Sequence, residues 1–140
     1  MQTFANYNKQ LIEKETQQNK RAAILKDFIG YIINSISISK PYPIITFNNE
    51  ANFGTKNRSF GSFNVNENEI VVATHNRNLA DILRTLAHEM VHFKQKQNGK
   101  LNINNAIKSG ADGSEIENEA NAIAGVILRK YGKLNPDIYE

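Results

Sequence analysis

The sequence predicts an α+β fold, on three observations. Apolar residues recur at helical spacing in two separate stretches, residues 78–98 and 114–131. Runs rich in β-branched and aromatic residues lie together at 44–47, 60–65 and 70–74, ahead of both helices rather than alternating with them. A long, mostly polar stretch with helical periodicity precedes them all. Helix first, then a small, mostly antiparallel sheet, then two helices is the segregated order of an α+β protein. With 140 residues, 40% of them apolar, the chain suffices for one domain around one modest core.

In the first segment, residues 1–41, the apolar positions Phe4, Tyr7, Leu11, Ile24, Phe28, Ile32 and Ile33 predict helix through most of residues 3–36. Its polar middle, 13–20, is expected to bend or protrude. Lys40-Pro41-Tyr42-Pro43 ends the helix, because a proline disfavours helical backbone in the residue before it. Residues 42–75 hold the sheet, with a strand from Ile44 to Phe47 and a hairpin of Phe60–Val65 and Ile70–Thr74 around Asn66-Glu67-Asn68-Glu69. In residues 76–99, Asn78 can cap a helix and Asn98-Gly99 can stop it. Asn102, Asn104, Asn105, Gly110 and Gly113 make 100–113 a loop, placed to border or cover a site between the flanking helices. A second amphipathic helix over 114–132 follows. The tail, 133–140, is expected to be irregular because Pro136 cannot continue a helix.

The chemistry concentrates in His88-Glu89-Met90-Val91-His92. Four residues is just over one helical turn, so the two imidazoles project from one side and can share a metal ion. Glu89 follows the first histidine, where it can reach a water on that metal without being a ligand. Leu79, Ile82, Leu83, Leu86, Met90 and Phe93 form the stripe this helix must bury. At about 100° per residue, His88 and His92 fall roughly opposite Leu86 and Met90, on the side of Asp81 and Thr85. On that side they face solvent or a cleft, a solvated histidine pair being the plain alternative.

A tetrahedral catalytic site needs a third protein ligand and one open position. In 114–132 the apolar positions Ile116, Ala120, Ile123 and Ile127 mark the stripe. Glu117 lies on its border with Asn121 one turn on and Ala124 close by, whereas Glu119 lies farther round towards Lys130. Glu117 is therefore the favoured ligand over Glu119. Ser114-Glu115-Ile116-Glu117 is also a capping box, in which Glu117 would merely return a hydrogen bond to the helix start. Asp112-Gly113-Ser114-Glu115 offers a competing box that leaves Glu117 free.

These residues resemble the gluzincin zinc metallopeptidases, which pair His-Glu-x-x-His with a glutamate on a following helix. Glu117-Asn118-Glu119-Ala120-Asn121-Ala122-Ile123-Ala124 is similar to the Glu-x-x-Ala/Ser-Asn/Asp-x-aromatic/aliphatic-Ala/Gly pattern of thermolysin-like enzymes and of repressor-cleaving and radiation-response peptidases. The likeness covers about residues 42–131. It implies that His88, His92 and Glu117 hold Zn2+, that Glu89 is the general base of peptide hydrolysis, and that the substrate is a protein or peptide. Asn121 falls where thermolysin-like members have an aspartate orienting the first histidine, and an amide there brings no charge. The resemblance also implies that the strand before the catalytic helix, about Ile70–Thr74, is an edge that aligns an extended peptide. A transition-state donor is sought among His75, Arg77, Tyr42 and Tyr131, although His75 occupies an ordinary turn position for a polar residue. With no Cys, the zinc ribbon of SprT-type proteases is absent, and no helix-turn-helix pattern is found, so the chain resembles a minimal gluzincin.

The formal charge of +3 and pI near 9.1 are mildly basic. Nucleic-acid binding calls for basic clusters interleaved with stacking aromatics. Lys94, Lys96 and Lys100 cluster after the catalytic helix, but lysines there ordinarily complement the helix dipole, so nucleic acid is not the expected partner. No apolar run approaches the roughly 20 residues of a membrane span. The N-terminus lacks the charged and apolar blocks of a secretory signal, which makes the expected compartment cytoplasmic, with release on lysis or packaging in a particle as variants. The Asn-rich composition fits an AT-rich source such as a phage or a low-GC bacterium. A non-catalytic zinc-binding structural or interaction module of a phage or regulatory complex is the rival expectation, and Glu89 argues against it, because a purely structural site closes with four protein ligands and needs no base.

Overall fold

The computed structural model describes residues 4–53, 59–102 and 114–139, with side chains described from residue 17 onward. The elements in order are α1 (Phe4–Ser35), β1 (Ile44–Asn48), β2 (Gly61–Asn64), β3 (Glu69–Ala73), α2 (Leu79–Gln97), α3 (Glu115–Leu134) and a 3-10 turn, Pro136–Tyr139. This is the expected α+β order.

Helix α1 is continuous through the polar stretch 13–20. It stops before the prolines rather than at them. Ser37 adopts the left-handed conformation (φ 55°), and the Ile38 N–H reaches back to the Ile33 carbonyl at 3.0 Å, the pattern of a Schellman turn. Ile38 is buried and joins the core cluster. Phe4, Tyr7 and Leu11 lie outside the residues whose side chains are described.

The sheet order is β1-β3-β2, with β3 parallel to β1 and antiparallel to β2. The sheet is thus mixed rather than mostly antiparallel, and β3 is its centre, not an edge. The cause lies in burial: Ile70 and Val72 are fully buried, and a strand that buries its side chains is the one flanked on both sides. The hairpin turns through Asn68 (φ 52°). Lys96 on α2 donates to the Val65 carbonyl and to Asn68 Oδ1, tying that turn to the helix.

Helix α2 is the centre of the molecule, packing on α3, β2, β3, α1 and the 3-10 turn. Leu83, Leu86, Ala87 and Met90 are fully buried with Phe28 and Ile32 of α1 and with Ala124, Ile127 and Leu128 of α3. Each large side chain of this set contributes about 1.5–3 kcal/mol by leaving water. The α1–α3 contact is aromatic: Phe28 meets the Tyr131 ring edge-on at 4.8 Å, and Tyr31 lies 5.2 Å away. The Tyr131 hydroxyl donates to Asp27 at 2.6 Å, and burial, with Asp27 acting the same way, pushes the phenol pKa up.

The tail is ordered where irregularity was expected. α3 runs to Leu134, and Pro136, which cannot extend it, instead starts the 3-10 turn that turns Ile138 into the core at 1% exposure. The exposed Tyr139 ring packs close over Gly132, where a Cβ would push it aside. Ile138→Ala should therefore destabilise the protein by about 2–4 kcal/mol, the range for an aliphatic truncation in a closed core. Urea unfolding reads this directly, and a loss under about 0.5 kcal/mol, the scale of an ordinary surface change, would mean that the tail is not part of the core.

Candidate metal centre

Helix α2 starts where Asn78 Oδ1 accepts the Asp81 N–H at 2.9 Å, and it ends at Asn98, followed by Gly99 with φ 77°. The helical repeat between these caps sets the His88 and His92 rings 4.6 Å apart, with their Nε2 atoms 3.1 Å apart. The third group comes from α3. Ser114 caps that helix, its Oγ accepting the Glu117 N–H at 3.2 Å. The competing cap, Asp112, lies outside the described residues. Glu117 Oε1 lies 2.7 Å from His88 Nε2 and Oε2 lies 3.0 Å from His92 Nε2. Capping and ligation are thus compatible: the Glu117 backbone serves the cap while its carboxylate faces the histidines.

Among the described residues, His88, His92 and Glu117 form the group whose ligand atoms all lie within 4.8 Å of one another, and this group can hold a metal ion. Tetrahedral zinc, with bonds of about 2.0–2.2 Å, sets its ligand atoms about 3.3 Å apart. The two ring nitrogens lie 3.1 Å apart and each meets a different oxygen of Glu117, at 2.7 and 3.0 Å, so a small shift of the carboxylate presents one oxygen to an ion shared by all three groups. Two imidazoles and a carboxylate are also a donor set that suits zinc. The residues fit the ion.

Both histidines have polar neighbours besides Glu117. Asn121 lies close enough to His88 to favour its protonated form slightly. Burial first, then the neighbouring His92, holds the His88 imidazole below its ordinary pKa, against the opposing pull of Glu117 and Asn121, which favours the neutral ring a metal requires. His92 Nδ1 lies 2.7 Å from Gln95 Oε1. Gln95 was not singled out from the sequence, although a polar residue three positions after His92 falls on the same helix side. Glu119 belongs to this outer layer rather than to the ligand set. It accepts from Gln95 Nε2 at 3.0 Å and pairs with Lys100 at 3.3 Å; the Gln95 contact above all, with Lys100 adding to it, holds its carboxyl below the usual range against the opposing effect of burial.

Glu89 is 7% exposed. Burial, and then the charge of Glu117, pushes its carboxyl up to about 8. Its cover is strand β2, which reaches the helix because residue 61 is glycine: a Cβ there would collide with the Thr85 methyl and press on the Glu89 side chain at 3.3 Å. The polar side of α2 is therefore not a solvated face but the floor of a cleft of about 290 Å³. Gly61, Phe63 and Val65 line it from the β2 side, Leu101 and Ile116 from the segments flanking 103–113, and His88, Glu89, His92 and Glu117 at its base.

The four donor candidates lie elsewhere. His75 lines a separate depression with Phe60, Asn76 and Arg77. The Arg77 guanidinium donates to the Ala73 carbonyl at 2.8 Å and to Thr85 Oγ1 at 2.7 Å, so it is committed to joining β3 to α2. Tyr131 is buried against Asp27, and Tyr42 is exposed ahead of β1 beside Lys40.

In comparisons with known proteins, no family model matched the chain, nor did any curated protein or solved structure. What can be said of its chemistry rests on these side chains.

Removing one ligand of three should cost more metal affinity than the roughly 10–100-fold typical of outer-layer losses. His88→Ala, His92→Ala and Glu117→Ala should each lose stoichiometric zinc on dialysis, whereas Glu119→Ala, two hydrogen bonds removed from the ion, should weaken binding by about tenfold or less. Metal analysis ranks them, and Glu119→Ala falling below Glu117→Ala would reassign the third ligand.

Proposed function

We propose that the chain is a zinc-dependent peptidase in which His88, His92 and Glu117 hold the ion and Glu89 is the general base. The observation that carries this reading is a carboxylate with no cationic partner among the described residues, almost fully buried, beside a three-ligand group at the base of an open cleft. A structural site closes with four protein ligands and has no use for such a group. Zinc in a site of this kind brings the pKa of water to about 7 and polarises a carbonyl.

The chain's own residues account for the rest of the chemistry. Glu89 takes the proton of the attacking water and can return it to the departing amine, a role that needs a carboxylate able to change protonation state near neutral pH. Its raised pKa of about 8 without a cation matches that need. Positive charge held by the triad would favour the ionised form, because both causes of the rise are electrostatic. The apolar side chains of Phe63, Val65, Leu101 and Ile116 lower the local polarity and so strengthen charge interactions at the cleft floor.

A peptide substrate is favoured by the strand arrangement. β3 cannot align it, being paired on both sides. β2 has no second strand partner among the described residues and contributes Gly61 and Phe63 to the cleft wall, so an extended peptide can add to its outer edge. Nucleic acid is disfavoured by the lysine cluster itself. Lys94 donates to the Ser37 carbonyl, Lys96 to the hairpin turn and Lys100 to Glu119, so all three hold the fold together.

Glu89→Gln should retain zinc but lose peptide hydrolysis by about 10²–10⁴, the usual worth of a general base. Digestion of a peptide library by wild type, Glu89→Gln and chelator-treated protein tests this, and equal cleavage by the variant would remove Glu89 from the mechanism. The same variant carries a stability signature. A carboxyl whose folded pKa is raised from 4.5 to about 8 costs folding free energy that grows as pH climbs through that interval. Glutamine has no such cost, so Glu89→Gln in metal-free form should gain Tm relative to wild type as pH rises from 5 to 8 (about 2–8 °C per kcal/mol recovered).

A further inference from the structure

Gln95 is a side chain with a full set of constraints. It is 2% exposed, so its amide has no water to turn towards. Nε2 lies 3.0 Å from the Ile116 carbonyl oxygen and 3.0 Å from Glu119 Oε1. A backbone carbonyl and a carboxylate oxygen accept and do not donate, so the NH2 group must face them and both of its hydrogens are used. The amide oxygen is then left facing His92 Nδ1 at 2.7 Å. An oxygen cannot donate, so the proton in that contact belongs to the ring. A flipped amide would set its oxygen against two acceptors in a closed interior, the arrangement that burial penalises most.

We propose that Gln95 is a positioning residue that fixes the His92 ring with its proton on Nδ1 and its bare nitrogen, Nε2, turned to His88 and Glu117. This rests on the reading of the triad as a metal centre. Imidazole binds a metal through an unprotonated nitrogen, and which nitrogen that is depends on the hydrogen bond made by the other. The alternative form, protonated on Nε2, would direct an N–H at Glu117 and block one ligand position. Gln95 disfavours that neutral form from behind, because its oxygen has no proton to offer a bare Nδ1. The same amide also joins the two ligand-bearing helices, because the carbonyl it holds belongs to Ile116, the neighbour of Glu117. One side chain thereby sets both the protonation pattern of His92 and its distance from the third ligand.

Ring 15N NMR of the metal-free protein and zinc affinity by chelator competition test the assignment together. In the wild type, His92 Nδ1 carries a proton. Gln95→Leu keeps the side-chain bulk but offers no acceptor, so the proton moves to Nε2, where Glu117 accepts it, and zinc binding weakens by about 10- to 100-fold. That variant strands buried polar groups and can unfold, so an exchange is run beside it. Gln95→Glu alone sets two carboxylates against each other, whereas adding Glu119→Gln restores a donor opposite an acceptor at that contact at nearly constant volume, the Ile116 carbonyl losing its donor in both variants alike. The double variant should bind zinc about tenfold better than Gln95→Glu. A bare Nδ1 in the wild type overturns the proposal, as does a double variant no better than the single one. A wild type that binds no zinc yet shows the Nδ1 proton defeats the metal reading and supports the role given to Gln95.

Discussion

The contact between α2 and α3 is the constraint on which the rest of the structure depends. Helical pitch brings His88 and His92 together at no cost to the fold, but it cannot supply Glu117, which arrives from another helix after a long excursion of chain. Two histidine nitrogens that each meet a Glu117 oxygen, at 2.7 and 3.0 Å, require the two helices to keep their separation. Ala120 and Ala124, both essentially fully buried, let the backbones approach, and Ile127 and Leu128 continue the seam towards the core. At the ligand end, where the seam turns polar, the Gln95 amide takes over. The other elements then act as braces: α1 and the 3-10 turn back the far end of the two helices, and the sheet covers the side that carries the histidines.

This arrangement places Glu89, His92 and Gln95 inside the molecule, three polar groups on one helix that water would otherwise solvate. Among the described residues, no buried side-chain nitrogen or oxygen lacks a hydrogen-bond partner. Satisfaction does not remove the electrostatic load, because Glu89 and Glu117 stand near each other with little solvent to screen them. The fold thus carries a local instability that hydrophobic burial elsewhere must offset.

Much of this was legible from residues alone, for reasons that differ by element. The helices around 78–98 and 114–131 were readable because their apolar spacing and caps, Asn78 and Ser114, are local properties. His88, His92 and Glu117 followed from pitch and stripe position, and the structure brings them together. Strand order was not legible: hydrophobic runs reveal that β3 is buried, but only the parallel pairing with β1 shows that it is central. The ordered tail was missed because a proline that cannot extend one helix can begin another turn, and the stop signal of α1, though not its extent, because a serine took the left-handed position that glycine usually fills. Gln95 escaped notice since its role depends on Ile116 and Glu119, residues that helix packing brings near from more than twenty positions along the chain.

Gly61 has a consequence for how such a sequence can drift over evolutionary time. The collision it avoids is with a particular methyl group, that of Thr85, whose hydroxyl is in turn engaged by Arg77. Positions 61 and 85 are therefore not independent variables. A descendant that gains alanine at 61 survives most readily by shedding the methyl at 85, for example through serine, which still offers Arg77 a hydroxyl. Substitutions at the two sites should be inherited as a linked pair, with the order of events fixed: the smaller residue at 85 first, the side chain at 61 afterwards.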